Sequence, residues 1–384
     1  IDSLSKIKQE IEMLNSVLNK TPSSASFLRQ TSSAARPLAA ARRSHRRSDT
    51  RCAVVAPSTM VQQPHPITIG PSKEPNFVQL ADGSKMPIVA YGTFLMQQPG
   101  ATRQALEAGY RHIDTARLYF NEAMIGQEIK EWIAADPANR KREDLYIVTK
   151  VFNDCHRPED VRKSAEASLK DLDCGYIDCM LIHWPDAFMP GVGNDFSSDN
   201  IIFDDKVTLA DTWKAMEKLV DDGIARSIGV SNFSLRQLDE ILKVARIQPL
   251  HNQVELNPYL PQWTLVEECK KRGVQCTAYC PLGGPGAIKP NKLLQDPLVA
   301  KLAQETNKSP AQVLTKWSIQ RGVPALPKSS NSDRIKTTYE GIYDWRLTDE
   351  QMKALNGLEN GYRSCAPGWK TWEDDVSYAK TAAA

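Results

Sequence analysis

GYRHIDTARLYFNEAMIG, from Gly109 to Gly126, places a carboxylate, Asp114, and a phenol, Tyr119, five residues apart where a short apolar run gives way to a loop. Two later apolar runs end in the same way, LYIVTK at Lys150 and CMLIHW at His183 and Trp184. Proton-handling groups gathered at the C-terminal ends of successive strand-like segments are the arrangement from which a β/α barrel builds its site. Outward from this stretch the chain keeps alternating. MPIVAYGT, YRHIDTA, DLYIVTKV, YIDCMLIHW, ARSIGVSN, PLHNQVELN, VQCTAYCPLG and VPALPKS read as eight strands, each followed by a stretch of helical period such as NEAMIGQEIKEWIA or RPEDVRKSAEASLKDL. That pattern predicts an α/β fold, a (β/α)8 TIM barrel with a closed parallel sheet. Asn121 and Ser234 stand as helix N-caps, and Gly109, Gly223, Gly273 and Gly322 stand where helices stop. An open doubly wound sheet produces a similar alternation. Against it, no G-x-G-x-x-G follows the first strand, and Gly283-Gly284-Pro285-Gly286 has the wrong spacing for one.

Charge and composition narrow the function classes. A net charge of +2 argues against a nucleic-acid footprint or a polybasic membrane surface in the barrel portion, and the longest apolar runs are strand-sized rather than membrane-spanning. The eight cysteines contain no C-x-x-C pair and read as reduced thiols. The six histidines show no H-x-H or H-E-x-x-H, so no metal site is expected. Residues 1–75 differ in character from residues 76–384. Positions 4–18 carry a helical apolar stripe, and residues 21–60 are rich in Ser and Ala, with seven arginines against one acid, Asp49. Such a segment resembles an organellar transit peptide, with a plastid as the expected destination, a mitochondrion as the alternative, and the cytoplasm if translation starts at Met60.

Three stretches carry a resemblance: Gly109 to Gly126, Met216 to Phe233 ending in IGVSNF, and Leu326 to Arg334 reading LPKSSNSDR. In this order and at barrel spacing they resemble the aldo-keto reductase family over roughly residues 77 to 365. The resemblance implies a barrel that binds NADPH without a Rossmann domain and reduces an aldehyde or ketone by hydride transfer. It assigns Tyr119 as proton donor, Lys150 and Asp114 as its charged support, and His183 as a neutral imidazole that orients the substrate oxygen. The chemistry agrees: carbonyl reduction needs a general acid at the developing alkoxide, a free phenol near pKa 10 is a poor one, and a neighbouring ammonium lowers it. For the cofactor the resemblance implies Thr93, Asp114, Ser231, Asn232 and Gln253 near the nicotinamide, Tyr279 stacked on its ring, and Leu282 with Gly283 near the pyrophosphate. Lys328, Ser329 and Arg334 would clamp a 2′-phosphate, which favours NADPH over NADH. Thr337 and Thr338 replace an acid and an amide common in relatives, and Cys280 replaces a serine.

Phe94, Tyr119, His183 and Trp184, with Trp369 or Trp372, are expected to line an aromatic mouth suited to a small-molecule carbonyl substrate without a carboxylate clamp. A sugar, a small aldehyde and a steroid-like ketone all stay open. A monomer is expected, with a homo-oligomer also compatible. The alternative function is an NADPH-binding regulatory subunit with little turnover.

Overall fold

Asp82-Gly83-Ser84 makes a tight turn in which the Asp82 carboxylate accepts the Ser84 amide and hydroxyl at 2.9 and 2.6 Å. This turn joins β1 (Phe77–Gln79) and β2 (Lys85–Pro87) in an antiparallel hairpin. The computed structural model describes residues 77–191, 201–284, 292–367 and 369–370. The expected N-terminal helix, the transit-type segment, Cys52, Trp372 and Gly286 lie outside those residues. The hairpin precedes the N-terminal end of β3 (Ala90–Gly92), the end of the sheet opposite Asp114, Lys150 and His183. Met86 and Ile88 are buried there with Ile113 and Ile147.

From β3 a parallel sheet runs in strict chain order through β4 (His112–Asp114), β5 (Tyr146–Val151), β6 (Ile177–Ile182), β7 (Ala225–Ser231), β8 (His251–Glu255) and β9 (Gln275–Tyr279). The expected eighth strand is present only as a bridge. Ala325 pairs in parallel with Val89 on one side and Ala278 on the other. The reason is chemical, since Pro324 and Pro327 carry no N–H for the ladder. Closure runs through the donors that remain: Ala325 N to Ile88 O at 2.9 Å, Leu326 N to Ala278 O at 3.0 Å, Ala90 N to Ala325 O at 2.8 Å and Ala278 N to Pro324 O at 2.8 Å. The sheet therefore closes as a (β/α)8 barrel.

Helices cover the barrel: α1 (Ala101–Ala108), α2 (Glu122–Ala135), α3 (Pro158–Leu172), α4 (Leu209–Asp221), α5 (Leu235–Leu242), α6 (Trp263–Lys271), α7 (Pro297–Thr306), α8 (Pro310–Gln320), α9 (Ser332–Tyr339) and α10 (Asp349–Asn356). With helices outside and side chains inside, β4, β5, β6 and β8 are buried at every residue. Ser234 caps α5 as expected, in a reciprocal box with Gln237. Asn121 occupies the N-cap position of α2, but its side chain does not cap it. Gly109 ends α1 at φ 110°, a backbone that L side chains rarely adopt.

Candidate active site

Each strand end delivers one polar side chain to the same mouth. Asp114 closes β4, Lys150 stands one residue from the end of β5, His183 follows β6, Ser231 closes β7, Gln253 lies within β8 and Tyr279 closes β9. Tyr119 comes from a one-turn 3-10 helix, Arg117–Tyr119, after β4. At the centre, Lys150 Nζ donates to Asp114 Oδ1 at 2.7 Å and to the Thr115 carbonyl at 2.9 Å, with both ionic groups almost wholly buried. Gln253 Nε2 donates to the other carboxylate oxygen at 2.7 Å, and Thr93 Oγ1 donates to the Asp114 carbonyl at 2.9 Å. A buried pair survives desolvation only when its remaining lone pairs are met in this way.

The Tyr119 ring lies over this pair, with Lys150 Nζ 5.3 Å from its centroid, Phe94 edge-on at 5.1 Å and the His183 ring at 5.8 Å. Burial, and then the Asp114 charge, push the Tyr119 phenol well above its ordinary value. In this geometry the Lys150 ammonium is turned onto Asp114 and the Thr115 carbonyl rather than onto the phenol. Burial lowers Lys150 from its ordinary value, and Asp114 and Glu122 oppose that shift. His183 is held well below 6.5, by burial first and by the Lys150 charge second. Both causes favour the neutral imidazole, and its buried Nδ1 has no hydrogen-bond partner among the described residues.

The residues expected around a nicotinamide form one network. Asn232 adopts a left-handed backbone at φ 63°, tolerable for asparagine, which turns its side chain back onto the strand ends. It donates to the His183 carbonyl at 3.0 Å and to Ser231 Oγ at 3.1 Å, and it accepts from the Tyr279 hydroxyl at 2.8 Å. Ser231 Oγ donates to the Gln253 carbonyl at 2.8 Å. Leu282 and Gly283 follow β9, with Gly283 at φ 89°. On the far side, Lys328 and Arg334 have no carboxylate partner among the described residues, and after burial it is the Arg334 charge that lowers Lys328. Two cations left facing each other suit an anion. Ser329 Oγ takes the Asn331 amide at 3.2 Å, while the Asn331 side chain caps α9 by accepting the Arg334 amide at 2.9 Å. Thr337 turns its hydroxyl onto the Asp333 carbonyl of its own helix, and Thr338 is buried.

The aromatic mouth is wider than the sequence suggested. Trp184 packs edge-on against Trp369 at 5.2 Å, Phe188 against Trp369 at 5.0 Å, and Phe152 against His183 at 5.7 Å. Phe152 and Phe188 went unremarked, although Phe152 lies two residues beyond Lys150, where a signal existed. Two anchors fix the C-terminal segment across this mouth. Buried Glu255 accepts the Ser364 amide and hydroxyl at 2.7 Å each and the Cys365 amide at 2.8 Å, and Lys370 pairs with Asp186 at 2.8 Å. No group of His, Cys, Asp and Glu able to hold a metal occurs among the described residues, where the seven cysteines are all free. No helix among them is long and apolar enough to cross a membrane.

Comparison with known proteins agrees with this architecture. The sequence model of the Aldo/keto reductase family matches residues 100–360. Aldo-keto reductase family 1 member A1-A of Danio rerio is 42% identical over 313 residues, covering 77% of this chain and 95% of that protein. Family 1 member A1 of Homo sapiens is 41% identical over 300 residues, covering 76% and 91%. The solved aldose reductase of Schistosoma japonicum superposes with a TM-score of 0.68 at 38% identity, covering 74% of this chain and 93% of that one. A barrel closed through Ala325, charged and phenolic groups at its strand ends and these matches together mean that the chain belongs to the aldo-keto reductase family, whose chemistry is carbonyl reduction with a nicotinamide cofactor.

Proposed function

We propose that this protein is an NADPH-dependent aldehyde reductase in which Tyr119 donates the proton. The observation that carries this reading is the buried Lys150–Asp114 pair, 2.7 Å long, beneath the Tyr119 ring and beside a neutral His183. The nicotinamide, when bound, supplies the hydride. Tyr119 supplies the proton: its phenol stays protonated at neutral pH, so it is in the donor state before reaction. As the alkoxide takes the proton, the negative charge left on Tyr119 lies next to the Lys150 ammonium. That interaction strengthens as the transition state forms, as an interaction must if it is to raise kcat. Asp114 and Gln253 fix the ammonium, and His183 orients the carbonyl oxygen.

Cofactor choice rests on Lys328 and Arg334, two cations without a carboxylate among the described residues, which suit a dianionic ribose phosphate. Ser231, Asn232, Gln253, Tyr279 and Thr93 would frame the nicotinamide, and Leu282 and Ser329 would flank the phosphates. Phe94, Trp184, Phe188 and Trp369 favour apolar or aromatic aldehydes over charged ones. The test follows loss of NADPH absorbance by the full chain with aromatic, aliphatic and sugar aldehydes, repeated with NADH. Turnover with NADPH is expected. Tight NADPH binding without turnover on any aldehyde would replace this reading with a regulatory NADPH-binding subunit. We also propose plastid targeting, on the Arg- and Ser-rich composition of residues 21–60. An import assay with isolated plastids and mitochondria checks it, and uptake by mitochondria alone would overturn it.

A further inference from the structure

Asn121 and Glu122 open α2 directly after the Tyr119 turn, yet the Asn121 side chain does not cap that helix and the Glu122 carboxylate takes its hydrogen bonds from outside it. Asn121 Nδ2 donates to the Thr93 carbonyl at 2.9 Å and the Met96 carbonyl at 3.1 Å, and its Oδ1 accepts from Thr115 Oγ1 at 3.0 Å. It thereby ties the loop that carries Phe94, and the residue after Asp114, to the start of α2. Glu122, 2% exposed, faces the other way. Its Oε1 accepts from Thr149 Oγ1 at 2.6 Å, and its Oε2 accepts from Ser168 Oγ at 3.0 Å and from the Arg117 guanidinium at 3.1 Å. Arg117 begins the turn that ends in Tyr119, and Thr149 immediately precedes Lys150.

We infer that Glu122, backed by Asn121, is a positioning residue for the reaction: it locks the turn that presents Tyr119 to the strand that presents Lys150. This rests on the reading of Tyr119 as proton donor. Helix initiation alone does not call for such a network, since Thr208, Ser234, Ser309 and Thr348 each start a helix here with a local box of one hydroxyl and the side chain three residues on. Burying a carboxylate against a guanidinium carries a desolvation cost that a surface cap avoids. The backbone points the same way. Phe120, a large aromatic directly after Tyr119, sits in the left-handed region at φ 52°, and such strain persists only where the surroundings over-determine it. The constraints lie on both sides of it: Gln97 Nε2 donates to the Tyr119 carbonyl at 3.3 Å, and Arg117 is held by both Glu122 and Asp171. The Glu122 charge also favours the ammonium form of Lys150, after Asp114.

The test compares full-chain wild type with Glu122→Gln, Thr149→Val, Thr149→Ser and Tyr119→Phe. Measured are kcat, the aldehyde KM, NADPH affinity by quenching of tryptophan fluorescence, and fold by circular dichroism and melting. Displacing a reacting group by about 1 Å costs on the order of 100-fold in rate, so Glu122→Gln and Thr149→Val are expected to lower kcat by about 10- to 100-fold. KM and NADPH affinity should stay unchanged, and Thr149→Ser, which keeps the hydroxyl, should recover most of the rate. A folded Glu122→Gln protein with wild-type kcat overturns the inference. If that variant fails to fold, Thr149→Val decides, and a wild-type kcat there overturns it equally, as does a Thr149→Ser variant as slow as Thr149→Val. Tyr119→Phe separates the two levels. Activity retained in it removes the proton-donor reading and this inference together, whereas an inactive Tyr119→Phe beside fully active Glu122→Gln and Thr149→Val removes the inference alone.

Discussion

Replacing Asp114 by Asn keeps the shape of the site and removes the charge opposite Lys150, which makes it the sharpest probe of the barrel centre. In the folded protein Lys150 Nζ has two acceptors, Asp114 Oδ1 at 2.7 Å and the Thr115 carbonyl at 2.9 Å, and it lies almost wholly out of water. Removing one partner of a buried pair costs about 3–5 kcal/mol if the survivor stays charged. The alternative is for Lys150 to lose its proton. From a free value of about 10.4, that route costs about 1.4 kcal/mol per pH unit, or about 4.6 kcal/mol at pH 7 and about 2 kcal/mol at pH 9. The cheaper route caps the loss, so Asp114→Asn should destabilise by up to about 4–5 kcal/mol at pH 7 and by no more than about 2 kcal/mol at pH 9. The sign follows from linkage. Burial already lowers Lys150 in the wild type, and losing Asp114 lowers it further. The unfolded chain then binds the extra proton between the folded and unfolded pKa values, so the variant gains stability as pH rises through that window. Urea unfolding of both proteins at the two pH values measures the gap. A loss equal at both, or below about 1 kcal/mol at pH 7, would refute the claim that Asp114 pays for a buried ammonium.

Three further outcomes are expected. Arg334→Ala should weaken NADPH by about 10- to 100-fold, the worth of charge-assisted hydrogen bonds, and leave NADH binding unchanged, as titration calorimetry would show; equal losses would place the 2′-phosphate elsewhere. Because burial and the Lys150 charge hold His183 well below 6.5, its ring should stay neutral between about pH 6 and 8 in nitrogen-15 NMR, and stability should fall as pH drops from about 6.5 toward the folded value, because the unfolded chain takes up the proton first. A titration midpoint near the ordinary value contradicts the neutral assignment. Gly126→Ala puts a methyl against the Leu172 carbonyl oxygen and 2.7 Å from that of Asp171, at the C-terminal end of α3, where backbone cannot step aside; destabilisation of at least about 1–3 kcal/mol should appear as a lowered melting temperature, and an unchanged one would mean that α2 and α3 shift apart freely.

How much of this was legible in the sequence depends on whether a feature is periodic. Strands buried on both faces show as apolar runs, so β4 to β9 stand out, and the polar residue ending each run marks the barrel mouth. Asp114, Lys150 and His183 were readable for that reason, and Ser231 through the family resemblance. The β1–β2 hairpin carried a signal too, the Asp82-Gly83 turn between FVQL and KMPI, but with three-residue strands it offers too few positions for an alternation to show. The eighth strand was legible as VPALPKS, yet its two prolines reduce its pairing to Ala325 and its neighbours. Proline in a central strand usually argues against the assignment; here the barrel closes through alternate residues whose donors and acceptors survive.

Hydrogen bonds between strand ends have no period, and this explains what the sequence concealed. Gln253 reaches Asp114 across 139 residues and Glu255 reaches Ser364 across 109. Asn121 shows the difficulty at short range. Ahead of an apolar helical stretch its residue type signals an N-cap, and the position is right, but the side chain turns to Thr93, Met96 and Thr115 instead. A cap needs only local geometry, whereas a tether is visible only once β3, β4 and β5 have been brought side by side. Glu122 repeats the point: in sequence it is an acid in a helix's first turn, where the dipole welcomes it, and in the fold it is the buried link between Arg117 and Thr149. The residues proposed for the chemistry can be found from where strands end, while those proposed to set the distances between them emerge only from the folded chain.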